Sequence, residues 1–218
     1  MKQTTEASIE TRVVDAKFVA GAVDAASLPP PTSLEIAFAG RSNVGKSRLL
    51  NGLMQRHSLA RTSNTPGCTR QLNIFEVRFA DGLTLHFVDL PGYGWARRSK
   101  TERSEWQGMI EGYLRTRVGL RAVVLLVDVR RGLEEEELQL VEFMGSKRPV
   151  SENRAVEIVL VGTKIDKVPA SARKPALDAV RKGGEEAGIR GRQGVVGWSA
   201  LTGEGREALC LRLRHVAL

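Results

Sequence analysis

Long hydrophobic runs are missing from this chain. No stretch approaches the roughly eighteen apolar residues that a membrane-spanning helix needs, so no membrane association is expected. Cysteine is scarce. Cys68 and Cys210 are the only two, too few for a disulfide framework and in no metal-ligand spacing. His57, His86 and His215 stand far apart, form neither a triad nor a metal pattern, and are read as structural. Residues 1–10 carry Glu6 and Glu10 and have no apolar core. That fits neither a secretion signal nor an acid-poor transit peptide, and a reducing cytoplasm is the expected setting. A surplus of acid is missing too: 33 Lys and Arg against 25 Asp and Glu leave a net charge of +8. Such a charge either serves a polyanionic partner or is simply a soluble basic surface.

Against these absences stands one dense motif, Gly40-Arg41-Ser42-Asn43-Val44-Gly45-Lys46-Ser47. It reads G-x-x-x-x-G-K-S. A strand-like run, residues 34–39, enters it, and a helical pattern with Leu49, Leu50, Leu53 and Met54 on one face leaves it. In that context the motif is a phosphate-binding loop. Its glycines allow backbone N–H groups to turn onto phosphates, and the following helix adds its positive end. Lys46 is expected to reach the β- and γ-phosphates, and the Ser47 hydroxyl to ligate Mg²⁺.

Further strands are expected at 71–79, 83–88, 122–127, 156–161 and 194–198, with a hairpin at Asp81-Gly82. Helices are expected at 104–117, 133–144, 170–187 and 205–216. The Glu134 to Glu137 run is read as a solvated helix start, favourable near the positive end of the dipole. This alternation predicts an α/β fold: a mostly parallel six-stranded sheet with one antiparallel strand and helices on both faces. Residues 1–32, interrupted by Pro29, Pro30 and Pro31, are expected to be an extension that packs on the domain or is partly mobile; residues 33–218 form the domain. Ligands bind such sheets beyond the carboxyl ends of the strands, where each remaining motif falls.

Asp89-Leu90-Pro91-Gly92 is D-x-x-G after a strand. Its carboxylate can hold Mg²⁺, directly or through water, and the Gly92 N–H can sense a γ-phosphate. Thr163-Lys164-Ile165-Asp166 reads T-K-x-D. The Asp166 carboxylate can accept both N–H groups of guanine's Watson–Crick edge, a donor pair adenine lacks, while the Lys164 stem can lie over the base. Ser199-Ala200, in the loop that runs to Gly203 after Trp198, can offer N–H groups to guanine O6.

In this order, the motifs resemble the Ras-like GTPase superfamily. With Thr65-Pro66-Gly67-Cys68-Thr69 and the Gly92-Tyr93-Gly94 that follows Asp89-Leu90-Pro91, they are similar to the EngB (YihA/YsxC) family of bacterial GTPases. The resemblance runs from about residue 16 to the C-terminus and includes residues 34–39, Trp106 and Tyr113. It implies a single Ras-like domain that binds GTP and GDP with Mg²⁺ and acts in assembly of the large ribosomal subunit, and through that in growth and cell division. The implied partners are that subunit or its precursor, rRNA and ribosomal proteins included; the protein itself is expected to be a monomer. Thr69, with Thr65 as runner-up, is the implied switch I threonine completing the Mg²⁺ shell of Ser47 and Asp89. Lys46, Thr69 and Gly92 are the implied catalytic groups. The chain departs from the family at Cys68, where a basic residue is usual, and at Arg48, where a second serine is usual; neither change removes a ligand.

Ras-type enzymes place a glutamine after D-x-x-G; Tyr93 stands there, and a phenol cannot copy an amide's paired donor and acceptor roles. Slow intrinsic turnover is therefore expected, with a partner, a cation or a water network completing the site. Asn43 matches a position linked to K⁺ in related GTPases, although a loop asparagine can equally serve a turn. Basic residues crowd residues 92–131, nine against four acidic, and residues 170–218, nine against five. Arg97, Arg98, Lys100 and Arg103, with Tyr93 and Trp95 nearby, are either an RNA contact or a solvated loop. Two competing functions stay open: a nucleotide-gated RNA or protein binding module with negligible hydrolysis, and a P-loop kinase. The kinase is disfavoured by the guanine-reading elements.

Overall fold

Seven strands, not six, build the sheet, in the order β1-β3-β4-β2-β5-β6-β7. The computed structural model describes residues 10–24, 26–60, 71–92, 100–146, 156–189 and 194–218, with side chains from Gly108 onward in the helix that begins at Lys100. The strands are β1 (Val13–Ala22), β2 (Leu34–Gly40), β3 (Leu72–Phe79), β4 (Thr84–Asp89), β5 (Leu120–Asp128), β6 (Glu157–Thr163) and β7 (Val196–Trp198). The helices are α1 (Lys46–Met54), α2 (Lys100–Thr116), α3 (Glu135–Ser146), α4 (Ala170–Glu186) and α5 (Arg206–Ala217).

The added strand is β1, which the sequence reading left inside the extension. It pairs antiparallel with β3, and the register shifts between Val13 and Asp15 and again between Phe18 and Ala20. Each shift moves the following side chains to the other face, so the strand never shows the two-residue alternation that would announce it. β3 also runs antiparallel to β4, through the turn at Gly82, whose φ of 91° is left-handed. The remaining neighbours are parallel, so β3 is the one strand that runs against the others.

Two apolar layers flank the sheet. On one face α1 and α5 contribute Leu49, Leu50, Leu53, Leu209 and Leu213. On the other, α2, α3 and α4 contribute Ile110, Tyr113, Leu114, Val141 and Val180. β5 lies between them with almost every side chain buried, which is why it reads as an unbroken apolar run.

A charged cluster is set into this core. Glu35 on β2 is fully buried and accepts hydrogen bonds from Tyr113 Oη at 2.9 Å and from Arg117 Nε and Nη2 at 2.8 and 2.7 Å. Arg117 also donates to the Pro29 carbonyl at 2.7 Å, while Leu28 is buried in the adjoining apolar layer, so residues 28 and 29 are held to the domain. Burial opposes the charge of Glu35; His86, Arg117 and Tyr113 outweigh it and keep the carboxyl below its ordinary range.

Candidate functional site

Strand β2 ends at Gly40 because the chain must turn back against β5. A Cβ at Gly40 would lie 2.9 Å from Val44 Cγ1 and 3.1 Å from Leu126 Cβ. Val44 N–H donates to the Arg41 carbonyl at 3.1 Å, and Asn43 (φ 63°) and Gly45 (φ 106°) are both left-handed. Alternation of hand in a short loop turns successive N–H groups to one side, a concavity suited to anions. Gly45 is the N-cap of α1 and offers no side-chain cap. The first N–H groups of the helix are therefore left to whatever the loop encloses. Ser42 and Ser47 are half-buried, and Asn43 and Arg48 are exposed.

Asp89 at the end of β4 lies beside Phe38 in the parallel pairing with β2. Its carboxylate pairs with the ammonium of Lys46, and both side chains are buried. Gly92 lies against the phosphate loop: a Cβ there would be 3.3 Å from the Ser42 nitrogen. The phosphate loop, its lysine and the D-x-x-G motif thus meet at one point. Serine hydroxyl and carboxylate oxygens are the hard donors that Mg²⁺ takes, so Ser47 and Asp89 suit that ion.

The T-K-x-D loop joins the same edge of the sheet. Thr163 is buried, and its Oγ1 lies 2.9 Å from the Val44 carbonyl and 3.2 Å from the Val127 carbonyl. The threonine hydroxyl is therefore a tie between this loop and the phosphate loop. Ile165 is buried beneath a 3₁₀ turn, Ile165–Lys167. Asp166 accepts a hydrogen bond from Ser199 Oγ at 2.8 Å, and that bond holds its carboxyl below the ordinary range. Ser199 is itself fixed, its Oγ accepting from the Leu201 and Thr202 N–H groups at 3.2 Å. Ala200 is exposed beside it. Trp198 is placed elsewhere: its ring enters the core and lies on Gly52 of α1, where a Cβ would be 2.9 Å from Cζ2. Thr65, Pro66, Gly67, Cys68 and Thr69 lie outside the described residues, as do Tyr93, Arg97 and Arg98.

Two functional features escaped the sequence reading. Arg41 of the phosphate loop pairs with Glu134 and, at 3.3 Å, with Glu136 at the start of α3. Glu137 caps the same helix, accepting from the Glu134 N–H at 2.9 Å. The second is Asp128, the last residue of β5. It accepts from Lys164 Nζ at 3.0 Å and from Arg130 Nε and Nη2 at 2.9 and 2.7 Å. Burial opposes its ionisation, but Arg130 and Lys164 prevail and hold the carboxyl far below the usual carboxylate range. A signal was available: a carboxylate ends an apolar run at the edge where the other motifs converge.

Known proteins share this arrangement. The family of 50S ribosome-binding GTPases matches residues 35–164. The "Probable GTP-binding protein EngB" of Anaeromyxobacter dehalogenans (strain 2CP-C) is 43% identical over 211 residues, covering 94% of this chain and 93% of its own. Among solved structures, a probable GTP-binding protein engB superposes with a TM-score of 0.61 at 22% identity, over 84% of this chain and 98% of that one. Era, in complex with MgGDPNP and nucleotides 1506–1542 of 16S ribosomal RNA, gives 0.66 at 22% identity, over 84% and 56%. The two structural likenesses establish the Ras-like fold. The family match and the sequence identity go further: this chain belongs to the EngB family of GTP-binding proteins and is a GTPase.

Proposed function

We propose that this GTP-binding switch serves assembly of the large ribosomal subunit in the cytoplasm, acting as a monomer on that subunit or its precursor, and through it growth and cell division. The observation that carries the reading of the site is the meeting of four motifs at the carboxyl edge of the sheet: Lys46 with Asp89, Gly92 against Ser42, Thr163 against Val44, and Asp166 with Ser199. Residues 40–48 cradle the phosphates of GTP or GDP. Lys46 and the loop N–H groups offset the charge that develops on the transferred phosphoryl group. Asp166 reads the guanine edge, and the Ser199-Ala200 backbone meets O6; Trp198 contributes through its backbone alone, since its ring is in the core.

Ser47, Asp89 and Thr69 would hold Mg²⁺, which would supply positive charge to offset that of the phosphates. Residues 58–70 and 90–103 carry the γ-phosphate state outward, with Thr69 and the Gly92 N–H as sensors. Tyr93 in place of glutamine keeps intrinsic turnover slow. Asn43 is the K⁺ candidate; its left-handed backbone is itself a reason for asparagine. Equal turnover in Na⁺ and K⁺ buffers would remove K⁺ from the account.

Support for the ribosomal reading comes from the matched family's description, from the net charge of +8 and from the Era relative, whose structure contains ribosomal RNA. Co-sedimentation with ribosomal subunits is the test. Association with the large subunit is expected in a non-hydrolysable GTP analogue and not in GDP. Reversing Arg97 and Arg98 to Glu should weaken it and flatten its salt dependence. Association indifferent to nucleotide would refute the switch reading.

A further inference from the structure

We propose that Asp128 is a positioning residue for nucleotide binding: it anchors the Lys164 ammonium so that the lysine stem becomes a fixed platform for the face of the base. The proposal rests on the guanine reading of the T-K-x-D loop above. Asp128 ends β5 and pairs in register with Thr163, which ends β6. Lys164 follows, and its backbone is left-handed (φ 61°), a conformation that is strained for a non-glycine residue and persists only where its surroundings enforce it.

The enforcement is visible at both ends of the residue. At the backbone, the Val129 N–H donates to the Thr163 carbonyl at 3.2 Å, and the Lys167 N–H to the Lys164 carbonyl at 2.9 Å. At the far end, the ammonium lies 3.0 Å from Asp128 Oδ2. The four-carbon stem therefore spans from the end of β6 back to the end of β5. Asp128 is itself immobilised. It is 7% exposed, its two oxygens accept from Arg130 Nε and Nη2, and Oδ1 accepts from the Arg130 N–H at 3.1 Å. Such charge-assisted bidentate contacts fix a carboxylate's orientation.

The two carboxylates at this edge thus divide the work. Asp166, tied to Ser199 at the end of β7, reads the edge of the base. Asp128 sets the surface beneath it. Without Asp128 the Lys164 ammonium would lose its anchor, and the stem would no longer be held as a surface for the base. A platform contacts the ring face and makes no edge hydrogen bond, so its loss should weaken different purine nucleotides alike.

The test uses the full chain and dissociation constants for GDP, IDP and ADP. IDP lacks the 2-amino group of guanine. Asp128→Asn should weaken GDP and IDP by the same factor, about tenfold, and leave their ratio unchanged. In a Lys164→Gln background the same substitution should change either constant by less than about twofold, because its effect runs through Lys164. An undiminished effect in that background, an altered GDP:IDP ratio, or no effect in the unsubstituted chain would overturn the proposal. Should Asp128→Asn fail to fold, Asp128→Glu measured in both backgrounds decides the same coupling. A weakening that vanishes without Lys164 supports the proposal; an equal weakening, or none, overturns it. An unsubstituted protein that binds ADP as tightly as GDP would instead overturn the guanine reading itself.

Discussion

Asp166 and Arg117 show how differently single charged residues work in this protein. Asp166 is a half-buried carboxylate at the sheet's edge, where the Ser199 hydroxyl holds one of its oxygens and Lys167 lies 3.6 Å from the other. Asp166→Asn replaces an acceptor pair with an amide, which suits the altered edge of xanthine. Nucleotide preference should therefore move from GTP toward XTP in competition binding; unchanged GTP preference would contradict the assignment. Arg117 is buried, and its partner Glu35 has no exposure at all. Arg117→Met would leave a carboxylate in the core with the Tyr113 hydroxyl at 2.9 Å and the His86 ring at 3.9 Å as its remaining neighbours. Removing one member of such a pair costs about 3–5 kcal/mol, to be read from urea unfolding. Adding Glu35→Gln to that variant should recover part of the loss, because the stranded charge is then gone. GDP affinity should change little in either variant, since the pair lies at the β2 end opposite the phosphate loop.

At the scale of elements, the site depends on how closely helices and loops approach the sheet. Gly205, with φ 88°, is the N-cap of helix α5, and a Cβ there would fall 1.9 Å from the Gly197 carbonyl oxygen of β7. Both the left-handed backbone and the contact with backbone atoms forbid a side chain. The same turn carries the Ser199 N–H to Glu204 carbonyl bond of 3.1 Å, so α5 and the Ser199 loop share an anchor. Gly205→Ala should lower stability by about 3 kcal/mol or more, the sum of left-handed strain and overpacking, and should also weaken GDP binding. A thermal melt and a binding isotherm on the same sample check both. Gly162 plays a related part in β6, where a Cβ would come within 2.5 Å of Leu177 on α4 and 2.6 Å of Val129.

For the whole molecule, charge placement matters more than net charge. Much of the C-terminal basic surplus is internally paired: Arg181 with Glu185 and Asp178, Lys182 with Glu186, Arg173 with Glu204, Arg212 with Glu157 and Arg214 with Asp81. This region is therefore a weaker claimant for RNA than its composition suggests. The same pairing sets the response to acid. Glu35, Asp81 and Asp128 all have folded pKa values below their ordinary ones: burial opposes ionisation in each, and the cationic partners outweigh it. A depressed carboxyl contributes stability that is complete above its unfolded pKa and is lost as pH falls through the folded value. Melting temperature should therefore hold from pH 7 down to about 5 and fall steeply below about 4. A melt series across that range, with a flat result below pH 4 as the contrary outcome, checks it.

The sequence by itself determined where the candidate site lies, at the carboxyl edge of the sheet. Gly40 to Ser47, Asp89 to Gly92, Thr163 to Asp166 and Ser199 are local motifs, each made by a strand end and the loop behind it, so spacing and residue type were enough to place them. Apolar runs and helical periodicity likewise determined the alternating strands and helices, because those patterns report which face each element buries. Only the tertiary structure decided what depends on contacts between distant segments. β1 became a strand because β3 offers it an edge, while its two register shifts erase the alternation along the chain. Trp198 went to the core because Gly52 of α1 leaves room for its ring. The pairing of Asp128 with Lys164 and of Arg41 with Glu134 arises where parallel strands bring loops together that lie tens of residues apart. A motif records the local geometry that a ligand requires, but which side chain steadies that geometry from a neighbouring strand is settled by packing alone.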